Sequence, residues 1–166
     1  INTTLDLDAQ VRYFDDDNLA VGSGPLPPVV GQATTYRVYW RLANSLNEVT
    51  DVAVTTTLSP GVTWESKQYV SAGDLAVDEK TREVTWTVSR IPPGKTGDDV
   101  NVWFDIGLTP TAAQAGRVIL LTAETNLTAK DAKTKSQITK FKRGSTTNLD
   151  DDPIGGGRGL VETASE

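Results

Sequence analysis

The sequence predicts an all-β chain folded as a two-layer sandwich, and three observations carry that prediction. Apolar and polar residues alternate with a period of two in short runs rich in Val, Thr, Tyr and Trp. Pro, Gly, Asn and Asp punctuate those runs at roughly the 8–12 residue spacing of an all-β sandwich or barrel. No segment keeps a helical period over a usual helix length.

Each run supports this in turn. The front stretch INTTLDLDAQVRYF puts Leu5, Leu7, Ala9, Val11 and Tyr13 on one face. In TTYRVYWRLAN, Tyr36, Val38, Trp40 and Leu42 share a face directed at a core, while Arg37, Tyr39 and Arg41 lie opposite. VTDVAVTTTL aligns Val52, Val54 and Thr56, leaves Val49 out of step, and closes on the turn SPG. Trp64 follows that turn and is expected in the core. REVTWTVS sets Val84, Trp86 and Val88 inside and ends at the loop IPPGKTGDD. VNVWFDIGL sets Val100, Val102, Phe104, Ile106 and Leu108 inside, with Trp103 on the polar side. TPTAAQAG has room for one helical turn at most. RVILLTAETNLTA alternates through Ile119, Leu121, Ala123 and Leu127, and KDAKTK turns into SQITKF. One-sided alternation throughout, with no ligand-cavity pattern, predicts an immunoglobulin-like Greek-key β-sandwich of about 7–9 strands. It spans residues 1–145, followed by an acidic, glycine-rich linker or inter-module tail over residues 146–166.

Composition narrows the chemistry. The 166 residues suit one domain, able to bury roughly two-thirds of its unfolded surface. Sixteen Lys and Arg against 22 Asp and Glu give a net charge of -6, which argues against nucleic acid as a partner. Cys, His and Met are absent, which removes disulfides, the usual zinc sites, thiol nucleophiles and imidazole bases. No apolar run approaches the roughly 20 residues of a membrane span. The missing initiator Met suggests a processed or excised segment. Without a nucleophile elbow, and with acids scattered along edges and loops, the chain is not expected to be an enzyme.

The succession GPLPPVVGQATTYRVYWRLAN, VAVTTTLSPGVTW, TREVTWTVSRIPPG and VILLTAETNLTAKDAKTK resembles the immunoglobulin-like conserved repeat domain of bacterial and archaeal cell-surface proteins. The resemblance rests on a VG entering a TYRVYW strand, an Asn ending that strand, an LSPGVTW turn, a Trp strand and a Pro-Gly loop. It covers roughly residues 25–140. It implies an extracellular or cell-surface, non-enzymatic module, usually in tandem arrays, and transfers no catalytic residue.

Four features remain as candidate sites. The glycines of GGGRG fail as a phosphate cradle, because no helix can follow them and the spacing departs from G-x-G-x-x-G. Clustered aspartates supply the oxygen ligands that Ca²⁺ takes, so Asp15, Asp17, Asp150 and Asp152 are the candidate metal ligands and Ca²⁺ the one cofactor left open; neither cluster has EF-hand spacing, and a solvated turn is the competing reading. Tyr39 and Trp103, on the polar face, are a candidate aromatic contact for a glycan or protein. Lys130, Lys133, Lys135, Lys140, Lys142 and Arg143 make a basic hairpin suited to a head-to-tail contact with the aspartate clusters. Finally, NTTLDLD at 2–8 is echoed by TTNLDDD at 146–152, as one module handing over to the next. The expected function is a structural module of a cell-surface protein or extracellular filament, with copies of itself or neighbouring repeats as partners. Assembly is expected in tandem or by strand addition between subunits, with Leu5, Leu7 and Val11 on the added strand. Adhesion through the exposed aromatics is the alternative.

Overall fold

The structure is a computed structural model describing residues 1–164. In chain order the strands are β1 Leu5–Arg12, β2 Thr34–Asn44, β3 Val49–Thr57, β4 Val62–Val70, β5 Asp74–Val77, β6 Glu83–Ile91, β7 Asn101–Leu108, β8 Leu120–Thr122, β9 Thr125–Asp131, β10 Gln137–Lys142 and β11 Ser145–Thr146. One 3-10 turn, Ala112–Gln114, is the whole helical content of the described residues. Four strands pair in the order β1-β2-β7-β4 and five in the order β10-β9-β3-β6-β5, with β11 and β8 forming a small ribbon. The chain is an immunoglobulin-like Greek-key β-sandwich, with nine strands in its two main sheets.

The inward faces follow the period of two. β2 buries alternate residues along its length, and its Tyr36 and Trp40 meet Trp86 from β6 and Phe104 from β7 in the space between the sheets. Trp40 and Phe104 pack edge to face, with ring centroids 5.2 Å apart. Val49, out of step in the sequence, is buried with Val52 because the strand bulges between them. Asp51 takes φ 54° and the register to β9 shifts between Thr50 and Ala53, so one extra residue turns both valines inward.

Two regions depart from expectation. The stretch after LSPG continues as β4, with Trp64 packed on Phe104 at 5.1 Å, and then breaks alternation at a bulge where Ser66 has φ 62°. The run read through Ile119 to Leu127 is two strands, β8 and β9, placed in different sheets.

The segment from 146 onward is not the loose joint its glycines suggested. The expected boundary between 145 and 146 cuts β11 in two. Thr147, Leu149, Asp152 and Val161 are buried, Leu160 bridges to Val118, and Glu162 bridges to Val29. Close approach explains the glycines here: a Cβ on Gly159 would sit 2.5 Å from the Asn148 Cα, and Gly157 turns the chain at φ 83°. Ser165 and Glu166, the end of the expected tail, lie outside the described residues.

Candidate functional site

The strand singled out for assembly, β1, lies at one edge of the four-stranded sheet. It pairs with β2 of its own chain over eight positions, from Leu5↔Asn44 to Arg12↔Arg37. Leu5, Leu7 and Val11 are buried in the core of the same chain, which corrects the expectation that they are free to complete a neighbour's sheet. Burial of these side chains is worth about 1.5–3 kcal/mol each and holds β1 in place.

Two buried aspartates also fasten β1, one beyond each end. Ahead of it, the Thr3 amide donates to Asp131 Oδ2 at 2.8 Å, and the Asn47 side-chain amide donates to the same oxygen at 3.0 Å. The other oxygen, Oδ1, accepts from the amides of Lys133 and Thr134 at 2.9 and 3.0 Å. The Asn47 side chain, then the Thr3 amide, are foremost in holding the Asp131 carboxyl well below the ordinary carboxylate range, against the opposing effect of burial. Asn44 completes this end. It receives the Thr3 hydroxyl at 2.7 Å and donates its own amide to the carbonyls of Asn47, Ile91 and Pro92.

Past the other end of β1, Asp152 Oδ2 accepts from the Tyr13 and Phe14 amides at 2.8 and 2.9 Å. Its Oδ1 accepts from the Ile154 and Gly155 amides at 3.0 and 2.8 Å. Burial acts to raise the pKa of this carboxyl, but the bonds from Gly155, Phe14, Tyr13 and Ile154 outweigh it and hold the pKa below the ordinary value. Each aspartate thus spends its charge on four N–H groups that the fold would otherwise leave unsatisfied.

The four candidate calcium ligands do not converge. Asp15 Oδ1 caps its own turn by accepting from the amides of Asp17 and Leu19, both at 2.9 Å. Asp17 is exposed, Asp150 accepts from the Asn148 side chain at 3.0 Å, and Asp152 is committed to backbone. Among the described residues no three acidic side chains are grouped to hold a metal ion. Asp150 and Asp151 instead share a cleft with Asp8, Lys142 and Arg143, so the acidic cluster and the end of the basic hairpin sit side by side on one copy. Burial, then the charges of Asp8 and Asp150, push the Asp151 carboxyl up.

The exposed face of the four-stranded sheet carries an aromatic row. Tyr39 on β2 pairs with Trp103 on β7, which pairs in turn with Tyr69 on β4. Tyr69 is 48% exposed and lies nearly parallel to Trp103, with ring centroids 6.5 Å apart. The Arg37 guanidinium lies 3.5 Å from the Trp103 ring centroid, held by Asp105 at 2.8 and 3.2 Å. Tyr69 carries no sequence signal, because the bulge in β4 breaks alternation ahead of it.

Among the described residues no helix is long and apolar enough to cross a membrane. No family model matches the chain, and no curated protein matches its sequence. Its fold does have counterparts in solved structures. It is similar to the crystal structure of a variant of BcpA, the major pilin subunit of Bacillus cereus, at a TM-score of 0.54 and 15% identity, over 87% of this chain and 40% of that one. A second BcpA crystal structure from that organism gives 0.54 and 14%, over 86% and 39%. The chain therefore spans about two-fifths of the structures it resembles. At this identity the likeness establishes a shared fold: the sandwich is of the immunoglobulin-like kind found in pilin subunits.

Proposed function

We propose that this chain is a non-enzymatic structural module of a cell-surface protein or extracellular filament. The observation that carries the reading is the shared sandwich: 87% of the chain matches a fold that, in the Bacillus cereus protein, belongs to a major pilin subunit. The chemistry of the chain agrees with it. Cys and His are absent, and two of the buried carboxylates are bound to backbone amides rather than poised over a cleft. Copies of the same module, or neighbouring repeats, are its partners. The clamps on β1 favour strand addition at free sheet edges over exchange of β1 between copies. Immunogold labelling of intact source cells, followed by negative-stain electron microscopy, tests the reading. Gold along filaments or over the outer surface is expected, and label confined to the cell interior would reject it.

Adhesion is a second reading, favoured by Tyr69, whose half-exposed ring extends the Tyr39 and Trp103 row to three aromatics. Its test is binding to an array of surface glycans and proteins, with Tyr69→Ala as control. A ligand lost on that substitution would support it, and an array without signal would reject it.

A further inference from the structure

Both outer strands of the five-stranded sheet, β5 and β10, lack a strand partner on one side. Their surroundings carry opposite charge. Next to β10 stand Lys133 and Lys135 in the turn before it, and Lys142 and Arg143 at its end, these last two also lining the cleft that holds Asp8, Asp150 and Asp151 of the same copy. Next to β5 stand Asp74 at its start, and Asp78 and Glu79 just past its end. All seven are exposed, and none belongs to an ion pair of the described residues. Of the opposing charges next in sequence, Lys80 is exposed, and the Arg82 guanidinium donates to the carbonyls of Leu58, Ser59 and Val62.

The register aligns the two edges. All four pairings in this five-stranded sheet are antiparallel, so its two outer strands run in the same direction. Following the ladder across, Leu75 pairs with Trp86, Trp86 with Val54, Val54 with Leu127, and Leu127 with Lys140. The next row runs from Ala76 through Thr85, Thr55 and Asn126 to Phe141. Leu75 is therefore level with Lys140, and Ala76 with Phe141. A second copy displaced sideways without rotation would bring its β5 alongside β10 as a parallel pair, with inner face continuing inner face. Phe141, 63% exposed, would then lie beside the small, exposed Ala76. Lys142 would come level with Val77 and Arg143 with Asp78, next to Glu79, so the charges meet at this one end; Asp74 falls level with Thr139, beyond reach of the Lys133 and Lys135 turn.

We propose that β10 of one copy adds in parallel to β5 of a second copy of this chain, guided by these complementary charges. The contact deepens the structural-module reading and rests on it. Charges on outer strands ordinarily serve to prevent pairing. Here they prevent only pairing of like edges, because β10 against β10 sets lysines together and β5 against β5 sets acids together. Opposite edges alone attract. Such a contact uses different surfaces on the two copies, and a repeated translation does not close, so it builds an open array. The four residues of β5 make each contact short, and its charges are exposed, so association is weak per copy and sensitive to salt.

Sedimentation velocity on the full chain tests the contact, at about 0.01 M and about 1 M ionic strength, where the screening length changes roughly tenfold. The wild-type protein is expected to grow in mass with concentration at low salt and to return towards monomer at high salt. The double variants Lys142→Glu with Arg143→Glu and Asp78→Lys with Glu79→Lys are each expected to weaken self-association at least tenfold. An equimolar mixture of the two variants is expected to restore it, because each edge again meets its opposite. Circular dichroism and the thermal midpoint establish that both variants fold. A second, uncharged variant, Phe141→Ser, is expected to weaken association in the same direction. A wild-type protein monomeric at low salt, charge variants that associate as it does, or a mixture that stays dissociated would each overturn the contact. Surface labelling that persists alongside any of these results would leave the structural-module reading standing.

Discussion

Replacing Asp152 by Asn tests the clamp beyond the end of β1 while keeping side-chain shape. The carboxylate accepts four backbone N–H bonds, two at each oxygen. Asn has one acceptor oxygen, so whichever way its amide turns, one pair of N–H groups faces an NH₂ group. Bonds to a charged acceptor contribute about 1.5–3 kcal/mol each, so losing two costs about 3–6 kcal/mol. That is a large part of the roughly 5–15 kcal/mol that holds a typical domain folded. For a chain of this size it corresponds to a fall of about 6–24 °C in thermal midpoint. Denaturant titration at pH 7 measures the loss, and hydrogen exchange should show the Tyr13, Phe14, Ile154 and Gly155 amides opening first. The dependence on pH has a definite sign. The Asp152 pKa is depressed in the folded state, so its stabilisation is complete above the unfolded value, about 3.9, and fades as pH falls through the folded value. The gap between wild type and variant therefore narrows on acidification. A variant within about 1 kcal/mol of wild type at pH 7, or a gap that widens as pH falls, would refute the clamp.

Three further substitutions have defined outcomes. Trp86→Ala empties a fully buried site and strands the Ala72 carbonyl, which accepts from the indole N–H at 2.8 Å; a loss of about 3–5 kcal/mol is expected in denaturant titration. Gly159→Ala forces a methyl to within 2.5 Å of the Asn148 backbone and should cost about 1–3 kcal/mol, read as a lower thermal midpoint. Asn47→Ala removes a donor to Asp131 and to the Ile1 carbonyl, so faster exchange of the Thr3 amide is expected while amides in β6 stay protected.

Much of this fold is legible in the sequence, and particular residues show where legibility stops. Tyr36, Val38, Trp40 and Leu42 could be read as one inward face because β2 alternates without interruption over eleven residues. β4 is not legible, because its bulge exchanges inside for outside after Trp64 and leaves Glu65 to Tyr69 exposed. β5, four residues long, is too short for a periodic signal. The apolar face of β1 was plain, but periodicity does not say whose sheet a strand completes. Asp131 and Asp152 were the least legible. A buried aspartate that binds backbone amides looks, in sequence, like any acid in a turn, and its partners at Thr3, Tyr13 and Phe14 are more than a hundred residues away. The same ambiguity made Asp152 look like a calcium ligand beside Asp150.

β1 is paired and buried within its own sandwich, and the proposed contact between copies leaves it there. The chain has no cysteine, so the pair Asp8→Cys and Arg41→Cys would introduce the only two. These positions face one another across β1 and β2. Directly opposed antiparallel residues lie about 4.5–5.5 Å apart, within reach of a disulfide. The decisive measurement is non-reducing electrophoresis of the oxidised protein, taken from assembled material and denatured. A single band at the mass of one chain, with the disulfide internal, is expected. A ladder of covalently linked chains would show β1 lodged in a neighbour's sheet and would contradict the account.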